Sequence, residues 1–573
     1  MAQQKMTNES ARPADMAELG SLGDPPGGSW QRIKHNPSRS VYRGRVGEST
    51  IYYKQFHPRG ILGRLAQLTG LSHARKEAYF SRLLSDAGVP TPQLLAGSWK
   101  RGRQWLASLA IEPSQNADSW HLEQLSLGPD GMRSIRRATV ALARLVARMH
   151  RAGVIHGDLH CGNVLVQPDP QEPKLVLLDL HRVKKRRKLS PFDRAGNLAQ
   201  LYYDRLNYTS TTDRMRFLKH YLAACGEQTS LRTWIALIER FAHDHTRKQL
   251  AQRDRRVFGL NRYFSPIRLK NGWRGHVVLA SKRKMAGSRA AELEFTADDW
   301  RKLLNRPENL FAPGPNVEII KDSRSSLVVR RQITVGPNTL DVFVKRARRK
   351  HAWKLLIDCF RPSRALRAFE LGHALLARRI ATVLPLAAME RRVGPILLDS
   401  ILITEAVNAP QLNRFMEIYL GDNPPAQAQG ELVPKRRLTH QVLWQLGKLL
   451  QRLHDNQLAH RDLKASNMLV LRRPGALPQI VLIDLDGLRR AVILTARARF
   501  QGLMRLNVSL LECPMVNHAG RLKMLLGYLC RPGAAKVNFK PYWRVLQEWS
   551  SKKLKRQIRS RRRRQKAARR PTL

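Results

Sequence analysis

The feature that most constrains this chain is a short polar loop that occurs twice. The first copy reads His156-Gly-Asp-Leu-His-Cys-Gly-Asn163, and the second reads His460-Arg-Asp-Leu-Lys-Ala-Ser-Asn467. In each copy an Asp stands two residues after the His, and an Asn follows that Asp by five. An apolar run then ends in a further Asp, Asp179 or Asp484, which lies 21 or 22 residues after the loop Asp. Because both the loop and the apolar run are repeated, we expect two domains of one kind in tandem.

This arrangement resembles the catalytic loop and the metal-binding Asp of the protein-kinase-like fold. The resemblance implies an α+β fold with two bilobal domains, each with an antiparallel-sheet N-lobe and a mainly helical C-lobe. A chain of 573 residues accommodates two such large domains. We predict, in order, a disordered N-terminus at 1–28, a first kinase-like domain at 29–245, a basic connecting region at 246–316, a second kinase-like domain at 317–550 and a basic tail at 551–573.

Each half also has a Lys at the end of a predicted N-lobe strand and a Glu on the helix that follows. Lys54 precedes Glu77 by 23 residues, and Lys345 precedes Glu370 by 25; each Glu is followed by a Pro 15 residues later. In a kinase-like N-lobe such a Lys reaches the α- and β-phosphates of the nucleotide. We therefore predict that each Glu pairs with its Lys and holds it against the nucleotide. An ordinary solvated helix Glu is the alternative.

Neither half carries the glycine fingerprint GxGxxG between its first two strands. Polar turns, Pro37-Ser-Arg-Ser40 and Ser323-Arg-Ser-Ser326, stand at that place. Backbone amides and a nearby Arg can still hold phosphates there, but a conventional protein kinase is disfavoured.

The charge balance indicates a polyanionic partner. The chain has 102 Lys and Arg against 44 Asp and Glu, a formal net charge of +58. The segment from Lys552 to Arg570 holds twelve Lys or Arg and no acid. Such a field favours an anionic membrane surface, a phosphorylated glycolipid or nucleic acid. The five scattered cysteines suit a reducing compartment, and no apolar run is long enough to span a bilayer. We expect a cytoplasmic protein, peripheral on the inner membrane.

Taken together, the loops, the polar turns and the basic character resemble the lipopolysaccharide kinase (InaA/Kdo-heptose kinase) family. The resemblance covers roughly residues 30–240 and 317–540 and implies phosphorylation of lipid A core sugars with ATP and Mg²⁺ at the inner leaflet. It implies three sets of site residues. The catalytic bases would be Asp158 and Asp462, the magnesium ligands would be Asn163, Asp179, Asn467 and Asp484, and the nucleotide phosphates would meet Lys54, Glu77, Lys345, Glu370 and Lys464.

The sequence leaves the acceptor open. The segments after Asp179 and Asp484 resume a helix at about Arg194 and Arg499, carry Lys or Arg soon after the Asp, and lack Ala-Pro-Glu. They are short for docking an extended peptide, and their cations suit an acceptor that already bears phosphate. We predict a phosphorylated glycan or glycolipid as acceptor. A Ser/Thr protein kinase-like enzyme and a basic pseudokinase scaffold that binds membrane or nucleic acid are the alternatives.

Overall fold

The structure is a computed structural model that describes most of the chain outside its ends and several internal segments. The described residues are 30–36, 39–57, 72–100, 103–169, 172–205, 209–280, 293–348, 359, 361–420, 435–472, 477–531 and 537–568. They belong to two compact units, Met1–Lys248 and Gln249–Leu573. The predicted disordered N-terminus at 1–28 lies outside the described residues.

The first unit begins with a five-stranded antiparallel sheet and a helix. The strands are β1 (Gln31–Asn36), β2 (Arg39–Val46), β3 (Ser49–Phe56), β4 (Leu94–Lys100) and β5 (Arg103–Leu109), in the spatial order β1-β2-β3-β5-β4. Alternate side chains of β2 and β3 are buried, as expected for strands with one face on a core. Helix α1 (His73–Asp86) begins at Ser72, whose Oγ accepts a hydrogen bond from the Arg75 amide at 3.1 Å.

The rest of the first unit is mainly helical. Its helices are α2 (Ala117–Ser126), α3 (Gly128–Arg151), α4 (Pro191–Arg205) and α5 (Thr211–Ala224), and α6 (Leu231–Arg256) begins in it and ends in the second unit. Its short strands are β6 (Gln115–Asn116), β7 (Val154–Ile155), β8 (Val164–Gln167), β9 (Lys174–Leu177) and β10 (Lys184–Lys185). Strands β6, β8 and β9 form one sheet, and β7 pairs with β10. The first polar loop therefore lies between β7 and β8, and Asp179 follows β9.

The second unit contains a seven-stranded antiparallel sheet. Its strands are β11 (Phe264–Arg268), β12 (Trp273–Val278), β13 (Val317–Ser323), β14 (Ser326–Val335), β15 (Asn338–Ala347), β16 (Pro385–Val393) and β17 (Ile396–Glu405). The spatial order is β11-β12-β16-β17-β15-β14-β13. The stretch 246–316, predicted as a basic connecting region, thus supplies β11 and β12 to this sheet. Trp273 and Val277 are buried in its core, which is the physical reason that these strands join it.

Helices form most of the remainder of the second unit. They are α7 (Ala297–Leu303), α8 (Arg364–Ala377), α9 (Leu412–Leu420), α10 (Lys435–Asp455), α11 (Ala496–Leu511), α12 (His518–Leu529) and α13 (Lys540–Ala568). Strands β18 (Leu458–His460) and β21 (Leu488–Arg490) pair, as do β19 (Met468–Leu471) and β20 (Gln479–Leu482). The second polar loop lies between β18 and β19. Each unit therefore shows the predicted α+β arrangement of an antiparallel sheet followed by a mainly helical part.

The basic tail predicted at 551–573 continues helix α13 as far as Ala568. The preceding part of α13 is anchored, because Leu546 is fully buried and Asn507 Nδ2 donates to Ser550 Oγ at 2.8 Å. Across the part of the chain that the structure describes, no helix has both the length and the apolar character needed to cross a bilayer.

Candidate active sites

In the first unit the strand lysine and the helix glutamate meet. Lys54 lies on β3, opposite Val41 on β2 and Leu106 on β5, and Glu77 lies on the buried face of α1. Lys54 Nζ is 2.5 Å from Glu77 Oε1. Charge-assisted contacts of this kind are strong and hold their partners in place. The Lys–Glu contact that the sequence predicts is formed in this unit.

The catalytic loop of the first unit is held by its own residues. His156 Nε2 donates to the Leu178 carbonyl at 2.9 Å, and His156 Nδ1 accepts from the Asp158 amide at 3.2 Å. Asn163 Nδ2 donates to the Asp158 carbonyl at 2.9 Å. Burial lowers the pKa of His156, so the neutral ring is favoured, with one nitrogen donating and the other accepting. The backbone of Asp158 is thereby fixed on both sides.

The second loop repeats this geometry. His460 Nε2 donates to the Asp484 carbonyl at 2.6 Å, and His460 Nδ1 accepts from the Asp462 amide at 3.2 Å. Asn467 Nδ2 donates to the Asp462 carbonyl at 2.9 Å. Burial also lowers the pKa of His460. Both units therefore present an oriented Asp at the same point of the same loop.

A second buried histidine lies behind the first loop, on α3. His150 Nδ1 is 2.7 Å from the Tyr221 hydroxyl, and His150 Nε2 is 3.1 Å from Asn197 Oδ1. Asn197 Nδ2 in turn donates to the carbonyl of the motif His at 2.7 Å. Burial lowers the pKa of His150 to about 4. His454 in the second unit contacts the Tyr528 hydroxyl at 2.9 Å, and burial lowers its pKa to about 4 as well.

Asp179 of the first unit is surrounded by donors. It has left-handed backbone angles, with φ 66° and ψ 53°. Arg39 holds both of its carboxylate oxygens, with Arg39 Nη2 at 2.7 Å from Oδ2, and His181 Nδ1 lies 2.7 Å from Oδ1. Burial alone would raise the pKa of Asp179, but the hydrogen bonds from His181 and Arg39 hold it well below its ordinary value. The carboxylate is therefore ionised, and both of its oxygens are already bonded to cationic or polar side chains.

The arginine of the polar turn thus lies on the carboxylate predicted to bind magnesium. The sequence indicated only that an Arg there can hold phosphates. In the second unit the corresponding position is Ser326, since Arg39 and Ser326 each stand two residues before the strand residue that pairs with the site lysine.

The oxygen donors of the first unit fit Mg²⁺. A carboxylate of Asp179 and the amide oxygen of Asn163 are hard ligands of the kind that Mg²⁺ prefers. The Asn163 nitrogen is occupied by the Asp158 carbonyl, which leaves its oxygen as the atom that can meet a cation. Glu77, Asp179 and His181 also offer ligand atoms that all lie within 4.8 Å of one another.

Asp158 faces outward beside a cation. Arg182 Nη1 lies 3.5 Å from Asp158 Oδ2, and the two side chains are 60% and 43% exposed. A partly exposed carboxylate can be reached by an acceptor hydroxyl, and the neighbouring guanidinium can bind an anionic group on the same molecule. In the second unit Lys464 Nζ lies 3.0 Å from Asp462 Oδ2, so the loop lysine is beside the loop carboxylate there.

The predicted contact between Lys345 and Glu370 is not formed. Lys345 Nζ lies 3.3 Å from Asp484 Oδ1 and 2.7 Å from Asp486 Oδ2. Burial alone would lower the pKa of Lys345, but Asp486 and Asp484 raise it. Among the described residues the ion pair of Glu370 is with Arg490, at 3.7 Å. Lys345 is thus paired with two carboxylates, and Glu370 is paired with an arginine.

A buried aspartate on α6 anchors that arginine. Asp254, which is 4% exposed, lies 2.9 Å from Arg490 Nη2 and holds both terminal nitrogens of Arg378 at 2.9 and 2.8 Å. Burial raises the pKa of Glu370, with Arg490 opposing. Sequence reasoning missed Asp254; its signal was a single acid inside the basic run Gln252-Arg-Asp-Arg-Arg256.

Both units match one family of known proteins. The model of the lipopolysaccharide kinase (Kdo/WaaP) family matches residues 36–221 and 330–523, so each match contains one catalytic loop.

Two curated relatives and one solved structure are similar to parts of the chain. Lipopolysaccharide core heptose(I) kinase WaaP of Pseudomonas aeruginosa is 30% identical over an alignment of 206 positions, and the match covers 32% of this chain and 76% of that protein. A 3-deoxy-D-manno-octulosonic acid kinase of Haemophilus influenzae is 28% identical over an alignment of 159 positions, and the match covers 26% of this chain and 62% of that protein. A solved structure of WaaP in complex with acyl carrier protein is 24% identical, with a TM-score of 0.32, and covers 40% of this chain and 91% of that one.

Proposed function

Because the chain belongs to the lipopolysaccharide kinase (Kdo/WaaP) family, we propose that it transfers the γ-phosphoryl group of ATP to a hydroxyl of a lipopolysaccharide core sugar or related glycolipid at the cytoplasmic membrane face. Membership of this family makes the chain a phosphotransferase with an alcohol group as acceptor. Beyond this, we propose the class of sugar, a phosphate already present on the acceptor and the location at the membrane.

We infer a phosphorylated acceptor from one observation, the position of Arg182 beside Asp158. The carboxylate that would receive the hydroxyl proton has a guanidinium 3.5 Å away. Arginine binds phosphate through paired N–H donors. An acceptor that already bears phosphate would therefore be drawn to this side chain and place a neighbouring hydroxyl near Asp158.

The chemistry assigned to the first unit follows from its contacts. Asp158 would accept the proton of the acceptor hydroxyl while that oxygen bonds to the γ-phosphorus and ADP leaves. Lys54, held by Glu77, would bind the nucleotide phosphates. Asp179 and Asn163 would hold Mg²⁺, which when bound neutralises negative charge on those phosphates.

We assign turnover to the first unit. There the lysine is paired with the helix glutamate, at 2.5 Å, which is the pairing that phosphoryl transfer by kinase-like folds requires. In the second unit Lys345 is held by Asp484 and Asp486 instead. A supporting role for the second unit is favoured by this difference.

The test is transfer of labelled phosphate from ATP by the full chain. The acceptors are a phosphorylated core oligosaccharide, the same oligosaccharide after phosphatase treatment, and a generic protein substrate. We expect labelling of the phosphorylated glycan above both others. Labelling of Ser or Thr in protein with none on glycan would refute the proposal.

The matched variants are Arg182→Ala and Arg187→Ala, which remove arginines from the same segment. Loss of a charged hydrogen bond costs roughly 1.5–3 kcal/mol, so Arg182→Ala should raise KM for the phosphorylated acceptor roughly 10- to 100-fold. Arg187 is exposed, and its removal should leave KM near the wild-type value. Equal changes of KM in the two variants would show that Arg182 does not bind the acceptor.

A further inference from the structure

A cluster of mixed ligands lies at the nucleotide end of the first unit. Glu77 comes from α1, Asp179 follows β9, and His181 is two residues beyond Asp179 in a 3₁₀ turn at Leu180–Arg182. One ligand atom of each lies within 4.8 Å of the other two. This spacing is close to that of side chains around a single cation.

One carboxylate oxygen of Glu77 lacks a hydrogen-bond partner among the described residues. Its Oε1 atom accepts from Lys54, whereas Oε2 is buried and has no hydrogen-bond partner among the described residues. Glu77 is 7% exposed. A buried carboxylate oxygen without a partner is costly, and a bound cation close to Asp179 would remove that cost.

The third ligand sets the type of cation. Mg²⁺ prefers oxygen ligands, whereas an imidazole favours first-row transition metals. The second unit has Asp486 at the position of His181 and therefore lacks this nitrogen donor. The two units of one chain thus differ in the donor that would discriminate between metals.

We propose that Glu77, Asp179 and His181 form a cation site in the first unit that takes a first-row transition metal through the imidazole of His181, with Mn²⁺ as the paramagnetic probe of that site. The site deepens the proposed function, since Asp179 would belong both to this site and to the Asp179–Asn163 pair that would hold Mg²⁺, and His181 would let the centre accept a transition metal as well.

Arg39 already bonds the carboxylate that this cation would use. Its guanidinium bonds both oxygens of Asp179, so a metal that uses either oxygen must displace at least one of these bonds. Nucleotide phosphates would offer the displaced guanidinium a new anionic partner. Metal binding and Arg39 therefore compete for Asp179 when nucleotide is absent.

The experiment is electron paramagnetic resonance of the full chain with Mn²⁺ alone, without ATP or glycan. Spin-echo modulation detects ¹⁴N bound directly to Mn²⁺, and a titration of the free-ion signal gives the affinity. We expect ¹⁴N modulation in the wild type and its loss in His181→Asp, which copies the second unit. His73→Gln is the matched control, because the His73 ring lies 5.6 Å from the His181 ring, and it should retain the modulation.

A second variant protects the test against misfolding. Arg39→Ala removes the competing guanidinium and should tighten Mn²⁺ binding roughly 10-fold or more, a gain that an unfolded chain cannot show. Absence of ¹⁴N modulation in the wild type, its persistence in His181→Asp, or weaker Mn²⁺ binding by Arg39→Ala would each overturn the inference. Since neither ATP nor acceptor is present, these results are independent of whether the sugar is phosphorylated.

Discussion

Lys345 Nζ lies 2.7 Å from a carboxylate oxygen of Asp486, whereas the corresponding Lys54 bonds Glu77. The residue that makes the difference stands two positions after the metal Asp. In the first unit it is His181, which bonds Asp179 and leaves Lys54 to Glu77. In the second unit it is a carboxylate, which attracts the lysine directly. The two units therefore differ both at this position and in the ion pairs of their lysines.

This difference predicts unequal effects of the two lysines. Lys54→Met should lower kcat/KM for ATP roughly 10- to 100-fold, because it removes a charged contact to phosphate. Lys345→Met, the matched change, should lower it less than threefold if turnover belongs to the first unit. Steady-state kinetics of phosphate transfer by both full-length variants decides this. A larger loss from Lys345→Met would place turnover in the second unit.

The anchor at Asp254 predicts a large loss of stability. Asp254→Ala would leave the side chain of Arg378, which is 9% exposed, buried without its carboxylate, at a cost of about 3–5 kcal/mol. Urea unfolding followed by tryptophan fluorescence measures the change. Asp244→Ala is the control on the same helix, since Asp244 is 51% exposed and 4.0 Å from Arg247, and it should change stability by about 0.5 kcal/mol or less. Similar unfolding curves for the two variants would contradict the assigned role.

The buried histidines predict acid sensitivity. The pKa of His150 is lowered from 6.5 to about 4 in the folded chain, so the unfolded state binds more protons between these values. The contribution of neutral His150 to the free energy of unfolding is complete above pH 6.5. It is lost as the pH falls toward 4, by about 3 kcal/mol over the whole window. His454 acts in the same direction.

His150→Gln should flatten this dependence, because glutamine does not titrate. Unfolding midpoints in urea at pH 7, 6 and 5 give the slope for the wild type and for the variant. The replacement is expected to lower stability at pH 7, where His150 Nδ1 and Tyr221 share a hydrogen bond, and to narrow the difference between pH 7 and pH 5. An unchanged slope would show that His150 does not control this window.

The basic tail predicts binding to anionic surfaces. Each Lys or Arg close to such a bilayer contributes about 1 kcal/mol, and salt screens the attraction. A chain that ends at Ser550 keeps the Asn507–Ser550 contact and lacks residues 551–573. It should bind vesicles with phosphatidylserine more weakly than the full chain and neutral vesicles equally. If neither truncation nor salt changes vesicle binding, the tail does not hold the protein to anionic surfaces. Tight binding to duplex DNA would favour the scaffold alternative.

The sequence alone determined the two catalytic loops. His, Asp and Asn lie within eight residues in each copy, and two of the hydrogen bonds that hold each loop are made inside it. Such local geometry follows from spacing, because few conformations bring these groups together. The sequence also predicted the Lys54–Glu77 contact, but the same spacing argument did not hold for Lys345 and Glu370.

The tertiary structure decided the ion pairs between distant residues. Arg39 and Asp179 are 140 positions apart, and Arg378 and Asp254 are 124 apart. In a chain with 102 basic residues and 44 acidic ones, every carboxylate has many possible cationic partners. Which one it bonds depends on distances and burial that appear only when sheets and helices pack. The predicted contact of Lys345 with Glu370 failed for this reason, because the folded chain pairs Lys345 with Asp484 and Asp486 instead.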